Sequence, residues 1–363
     1  MQQKERLLTA LLLEEPDVVP VSIRLNPGIL STFGRRFFEW ALENTSSLFR
    51  ISLSPNIFYA PSYVRYRSYI IASRESYILL KLTLETPKGC LSSIVRETSS
   101  EGSWVVKPFI SNEEDIDRFL SIPEDVPMPR FEEYDRWVRI LGDRALICIT
   151  FLDAIGVVAS LFRLNDFLKV CIEKLHLIKE MVRSVSRRIE LFIEKLLEKG
   201  LGPLYEIVGP EYVCQTFFKP SYFMELALSV DHALVKLVHE YGYLIGMHCH
   251  GKIRAVLEEI ARAGFDALHP VEEPPGGDVT LAEAKKLIGH KLCLIGNIPH
   301  GLLDSSTPKE VVNACHKAIK VAAPGGGYIL EPTATPLASS KVENLVAMAR
   351  AGRLYGKYPV SRC

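Results

Sequence analysis

Tyr243-Leu244-Ile245-Gly246-Met247-His248-Cys249-His250-Gly251 reads as a buried strand that stops at a glycine and runs on into an amphipathic helix over 252–263. Successive strand side chains point to opposite faces, so His248 and His250 share a face, as two ligands of one metal ion must. The pair stands where the strand ends, and in parallel α/β folds ligands bind at the carboxyl ends of the strands.

Working outward, further apolar runs suited to buried strands cover 18–23, 48–53, 145–151, 203–208, 267–269, 291–295 and 327–330, which with 243–248 makes eight. Helical patterns lie between the later ones, at 168–199, 220–241, 253–263, 281–288 and 308–321, and a last one at 341–353 closes the chain. This order predicts an α/β fold, a TIM-type (β/α)8 barrel, with residues 1–363 as one domain. Residues 63–107 depart from the alternation. They are rich in Tyr, Ile, Thr and Val, with a turn signal at Thr86-Pro87-Lys88-Gly89, and predict an antiparallel hairpin insertion. A helix is expected after Ser111-Asn112, where an N-cap precedes an acidic first turn.

Composition narrows the class of function. Lys plus Arg and Asp plus Glu balance at 43 each, so no global field favours nucleic acid or an anionic membrane, and a small molecule or a protein is the expected partner. The eight cysteines form no Cys-x-x-Cys pair and the amino terminus has no apolar leader, which together predict reduced thiols in a cytoplasm. No segment reaches the roughly 18 uninterrupted apolar residues of a membrane span; the nearest, 145–162, contains Thr150 and Asp153. Barrels of this size often form homodimers, although nothing in the sequence marks an interface.

Several groups compete for chemistry, each with a plainer alternative. His248 and His250 either bind a divalent metal such as zinc, with a third protein ligand and an open position, or are hydrogen-bonded histidines at the barrel mouth. The loop His269-Pro270-Val271-Glu272-Glu273-Pro274-Pro275-Gly276-Gly277-Asp278 concentrates a histidine and three carboxylates; Glu272 and Glu273 are its best acid or base candidates, whereas Asp278 or Thr280 caps the next helix. Asn297, after Gly296, is able to donate and accept hydrogen bonds to a substrate, or forms part of a turn. Glu206 and Glu331, each in or at the end of a strand, are candidates for the third ligand or a base, with Asp153 a lesser member of the set. Arg24 either pairs an anionic substrate or makes a structural salt bridge. Pro324-Gly325-Gly326-Gly327 precedes its strand instead of joining strand to helix, which argues for a turn and against a phosphate cradle.

The order of Pro16-Asp17-Val18-Val19-Pro20-Val21, Thr86-Pro87-Lys88-Gly89, Gly209-Pro210-Glu211-Tyr212, His248-Cys249-His250-Gly251, Gly296-Asn297, Thr307-Pro308-Lys309-Glu310-Val311 and Glu343-Asn344-Leu345 resembles the uroporphyrinogen decarboxylase superfamily across nearly the whole chain. The resemblance implies a barrel with its site at the carboxyl-end mouth, where Glu211 and His269 would join Asp153 in binding substrate, and one of two chemistries. The first is decarboxylation of uroporphyrinogen in porphyrin biosynthesis, a lyase reaction. Its Arg-Gln-Ala-Gly-Arg run corresponds here to Arg24-Leu25-Asn26-Pro27-Gly28, its Phe-Ser-Asp-Ile to the acid-free Ser54-Pro55-Asn56-Ile57, and its late histidine motif to Thr333-Ala334-Thr335-Pro336. Only one arginine of the run remains and the acid is missing, which counts against a polyanionic tetrapyrrole that needs cations and an acidic group. The second is zinc-dependent methyl transfer or demethylation involving a thiol and a corrinoid protein. Its His-x-Cys-Gly falls on His248-Cys249-His250-Gly251, so His248 carries over as a ligand, His250 replaces one thiolate, and Glu331 or Glu206 would complete the set in place of the other. Such a set also suits iron or manganese. A metal-dependent methyltransferase is the leading expectation, uroporphyrinogen decarboxylase the alternative, and a barrel that only binds a partner such as a corrinoid protein the third.

Overall fold

A computed structural model describes residues 1–53, 65–98 and 102–361. It shows a TIM-type α/β fold with an antiparallel insertion. Seven parallel strands form the main sheet in chain order: β1 (Ser47–Ile51), β6 (Ala145–Leu152), β7 (Leu204–Val208), β8 (Leu244–His248), β9 (Ala267–His269), β10 (Cys293–Ile298) and β11 (Tyr328–Pro332). The numbers missing from this series belong to the insertion, β2 (Arg65–Ser73), β3 (Tyr77–Thr86), β4 (Gly89–Thr98) and β5 (Gly102–Lys107).

The expected first strand, 18–23, is only a bridging segment. Pro20 lacks an N–H and Arg24 takes a left-handed φ of 52°, so a regular ladder cannot continue through either. The segment still joins the two ends of the sheet. Ser22 N–H donates to the Leu330 carbonyl of β11 and Leu330 N–H to the Pro20 carbonyl, both at 2.9 Å, while on the other side Arg50 N–H of β1 donates to the Leu25 carbonyl at 2.8 Å.

Alternation along the strands divides the apolar residues into two layers. Phe49, Ile149, Ile207, Met247, Leu268, Leu294 and Leu330 belong to the large core shared with the surrounding helices. The alternate residues Leu48, Leu146, Leu204, Ala267, Cys293 and Ile329 form a second cluster, plugged by Leu7, Ala10 and Leu11 of the first helix, Gln3–Leu11. That helix seals the amino-end floor of the barrel. Gly326 packs against the Glu14 backbone there, which agrees with a turn and leaves no phosphate cradle.

Polar residues start several helices, at Asn112 and Thr280 as the sequence predicts and at Thr307 besides. The Asn112 side chain accepts from Asp115 N–H before Glu113–Leu120, and Thr280 and Thr307 each form a reciprocal capping box with the glutamate three residues on. The long helix expected at 168–199 is broken at Lys174 into Leu164–Glu173 and Leu175–Glu198. The hairpin expected at 63–107 is a four-stranded antiparallel sheet whose Thr86 and Gly89 pair across the predicted turn. Its Leu84 and Leu91 reach the main core, while Tyr69, Ile70 and Trp104 are exposed. Because it lies between β1 and the helix Glu113–Leu120, it leaves the barrel from the carboxyl-end face. Ser54-Pro55-Asn56-Ile57 lies outside the described residues. No helix among the described residues is long and apolar enough to cross a membrane, and the described cysteines are unpaired thiols.

Candidate active site

Two residues beyond the apolar floor, the same strand faces present charge. Arg50 of β1 follows Leu48, Glu206 of β7 follows Leu204, and Glu331 of β11 follows Ile329; all three are buried. Arg50 joins the carboxylates. Its Nε and Nη2 donate to Glu206 at 2.8 and 2.9 Å, and its Nη1 and Nη2 donate to Glu331 at 2.9 and 3.0 Å. Ser22 Oγ adds a 2.5 Å hydrogen bond to Glu331. Arg24 stands further off, 3.5 Å from Glu331 and 4.0 Å from Glu206. Two guanidinium and two carboxylate charges cancel here, which is the condition for burying any of them. Burial alone would raise the Glu206 pKa, but Arg50 and Arg24 outweigh it and draw the group down to about 2. Burial likewise works against charge on Arg50, yet the two carboxylates hold it well above its ordinary value.

Glu206 and Glu331, expected as candidates for the third metal ligand, are the counter-ions of Arg50. Arg24 belongs to the same network and is 6% exposed.

The histidines lie next to this network. His248 and His269 are paired in register on β8 and β9, and their Nδ1 atoms are 2.7 Å apart. Their ring planes lie 14° from parallel with centroids 4.9 Å apart, so the rings meet edge to edge through these nitrogens. Burial pushes both imidazoles well below their ordinary pKa, with Arg24 the next cause in each, so both are neutral at pH 7. His250 crosses the edge of the His248 ring with centroids 4.7 Å apart. Its Nδ1 lies 3.1 Å from Glu272 Oε2, which also accepts the Gly251 N–H at 3.1 Å. Gly251 has a φ of 89°, and a Cβ there would come within 2.7 Å of Thr216 Oγ1, so the turn that brings its amide to Glu272 needs glycine. Burial raises the Glu272 pKa, but the bond to His250 and the Gly251 amide outweigh this and lower it. Glu272 therefore sits as a carboxylate against His250.

The remaining candidates divide between the mouth and the scaffold. Glu211 accepts the Gly209 N–H at 3.1 Å and lies within electrostatic range of His250 and Glu272; burial raises its pKa. Asn297, Glu273 and Thr333 line a cavity of about 570 Å³ beside the 272–276 loop, which Glu272 also borders. His269 is 1% exposed behind His248, so it is positioned to act on that histidine and not on a substrate directly. Asp153 is also buried, its Oδ1 capping the helix Ala154–Ser160 through the Gly156 N–H at 2.7 Å. Asp278 does not cap the helix Leu281–Ile288; it accepts the amides of Ile253 and Arg254, both at 3.0 Å, and Thr280 takes the cap. Cys249 faces the outer core, where burial raises its pKa well above that of a free thiol.

Sequence reasoning missed Arg50, the hub of the network, and Ser22. The signal for Arg50 was a charge inside an apolar strand run, two residues after Leu48 and therefore on the same face.

No three His, Cys, Asp or Glu side chains among the described residues already surround one metal position. The donor chemistry nevertheless fits a divalent ion. A neutral buried imidazole, a second imidazole and an ionised carboxylate are a recognised zinc set, and His250 and Glu272 contact each other directly at 3.1 Å.

The family model described as Uroporphyrinogen decarboxylase (URO-D) matches residues 2–355. The chain belongs to the uroporphyrinogen decarboxylase family. Relatives in that family include two proteins named methylcobamide:CoM methyltransferase MtaA, one from Methanosarcina barkeri strain Fusaro, 28% identical over 54% of this chain and 55% of its own length, and one from Methanosarcina barkeri, 26% identical over the same shares. The chain thus matches about half the length of these curated relatives. A solved methyltransferase from Methanosarcina mazei shares the fold with a TM-score of 0.67 over 98% of this chain and 99% of its own, at 16% identity.

Proposed function

We propose that this chain is a metal-dependent methyltransferase of the uroporphyrinogen decarboxylase family, moving a methyl group between a corrinoid and a thiol. The observation that carries the reading is His250, which touches both the His248 ring and the Glu272 carboxylate where the strands end. Similarity to the two methylcobamide:CoM methyltransferases supports it over half the chain. The engagement of Arg24 and Arg50 by Glu206 and Glu331 weighs against a tetrapyrrole polyacid, which needs free cations.

His248, His250 and Glu272 would hold the metal. When bound, a divalent metal lowers the pKa of a coordinated thiol and so provides a thiolate nucleophile at neutral pH. The chain's own groups prepare that position. Burial keeps His248 uncharged, the Gly251 amide holds one Glu272 oxygen, and Glu211 adds a carboxyl group near His250 and Glu272. Because the insertion and the site share the carboxyl-end face, a corrinoid-bearing partner would approach from there.

Incubating the zinc-loaded protein with methylcobalamin and CoM tests the reading. Methylated thiol should form, and His248→Ala should lower the rate at least 100-fold. Uroporphyrinogen turnover that is indifferent to chelators, with no thiol methylation, would refute it.

A further inference from the structure

We infer that His269 is a positioning residue that fixes the tautomer of His248, holding the proton on Nδ1 and leaving the Nε2 lone pair for the metal. The inference rests on the proposed role of His248 as a ligand. It also supplies the buried His269 ring with a function that no substrate contact explains.

The argument is a count of donors and acceptors around His269. Its Nε2 faces two oxygens that only accept, the Pro332 carbonyl at 2.9 Å and Glu331 Oε2 at 3.3 Å. Pro332 has no N–H to offer in return, and both Glu331 oxygens already accept from Arg50. A bare nitrogen lone pair against two oxygens would be repulsive, so Nε2 carries the single N–H of the neutral ring. Nδ1 of His269 is then the acceptor. Arg24 Nη1, which only donates, lies between the two nitrogens, 2.8 Å from Nδ1 and 3.1 Å from Nε2, and so selects neither; the Pro332 carbonyl at 2.9 Å decides. The other group at Nδ1 is His248 Nδ1 at 2.7 Å, and two lone pairs cannot meet at that distance. His248 therefore donates from Nδ1, and its Nε2 is unprotonated.

The order is Pro332 carbonyl, His269, His248, with every proton directed back toward the β11 carbonyl. A metal-binding histidine ordinarily has its second nitrogen fixed by a carbonyl or a carboxylate. Here another imidazole intervenes and passes on the preference of Pro332 and Glu331. The ring planes lie 14° from parallel, the near-coplanar arrangement an in-plane N–H···N bond requires, which restricts the His248 ring plane as well as its tautomer.

Two measurements test this, and the first needs neither metal nor substrate. Long-range ¹H–¹⁵N correlation spectra of metal-free protein labelled at histidine, with the His248 signals assigned by their loss in His248→Gln, should show Nδ1 protonated and Nε2 bare. In His269→Phe, which keeps a flat ring but loses both nitrogens, the His248 proton should redistribute toward Nε2. Cobalt(II) affinity, read from the visible spectrum, should then fall by about 10- to 100-fold in His269→Phe. His269→Asn keeps an acceptor facing His248 and should recover part of that loss, whereas a purely packing role would leave the asparagine variant at least as impaired as the phenylalanine one. A wild-type His248 protonated at Nε2, or a His248 tautomer unchanged in a folded His269→Phe, would overturn the inference. If His269→Phe does not fold, the wild-type spectrum and His269→Asn decide it. Absence of cobalt binding in the wild type would remove the proposed function while leaving the tautomer result standing, so the two failures are distinguishable.

Discussion

Arg50 holds two buried carboxylates with one guanidinium, and no other residue among those described contacts both so closely. Replacing it by methionine fills similar space but leaves Glu206 and Glu331 with only the more distant Arg24. Removing one partner of a buried ion pair costs about 3–5 kcal/mol, so Arg50→Met should lose at least that much in denaturant unfolding at pH 7. A loss below about 1 kcal/mol would show that the network does not stabilise the barrel. At this scale the sequence was half legible. His248, His250 and Glu272 were visible from alternation and loop chemistry, since each signal is local. That Glu331 and Glu206 serve Arg50 was not visible, because the partners are 281 and 156 residues apart and only the closed barrel brings them together.

Elements position these residues, and one junction between elements is sensitive to pH. Asp153 caps the helix after β6, Asp231 lies in the first turn of Ser229–Glu240, and both are buried with an Oδ2 that has no hydrogen-bond partner. Burial pushes Asp231 up to about 8, and burial together with Asp231 raises Asp153 well above the ordinary range. A carboxyl whose folded pKa exceeds its unfolded one stabilises the fold at low pH, and that contribution is lost as pH rises through the folded value. The melting temperature should therefore fall between pH 5 and pH 8, and Asp231→Asn should flatten the fall and melt higher than wild type at pH 8. Thermal scans across that range check it; a wild-type melting temperature that rises toward pH 8, or an unchanged slope in the variant, would count against the account. Element type was readable wherever capping and periodicity agreed, as at Asn112 and Thr280. It failed at 18–23, where apolar content suggested a strand but Pro20 and the left-handed Arg24 permit only a bridge.

Across the whole molecule, the strand faces grade from an apolar floor plugged by the first helix, through the Arg50 network, to the histidines and Glu272 at the carboxyl ends. This gradient explains why the barrel class was legible from eight apolar runs alone: core burial and site placement use the same two-residue alternation. The size of the insertion was less legible, because the turn at Thr86–Gly89 marked one hairpin and the outer strands lacked comparably clear signals. The claim that unites the levels is that the mouth holds a divalent metal. Calorimetric titration of zinc into chelator-treated protein measures it directly. The account predicts one equivalent bound by the wild type, with affinity reduced at least tenfold in Glu272→Gln and binding abolished in His248→Ala; no saturable binding, or the same affinity in all three proteins, would contradict it.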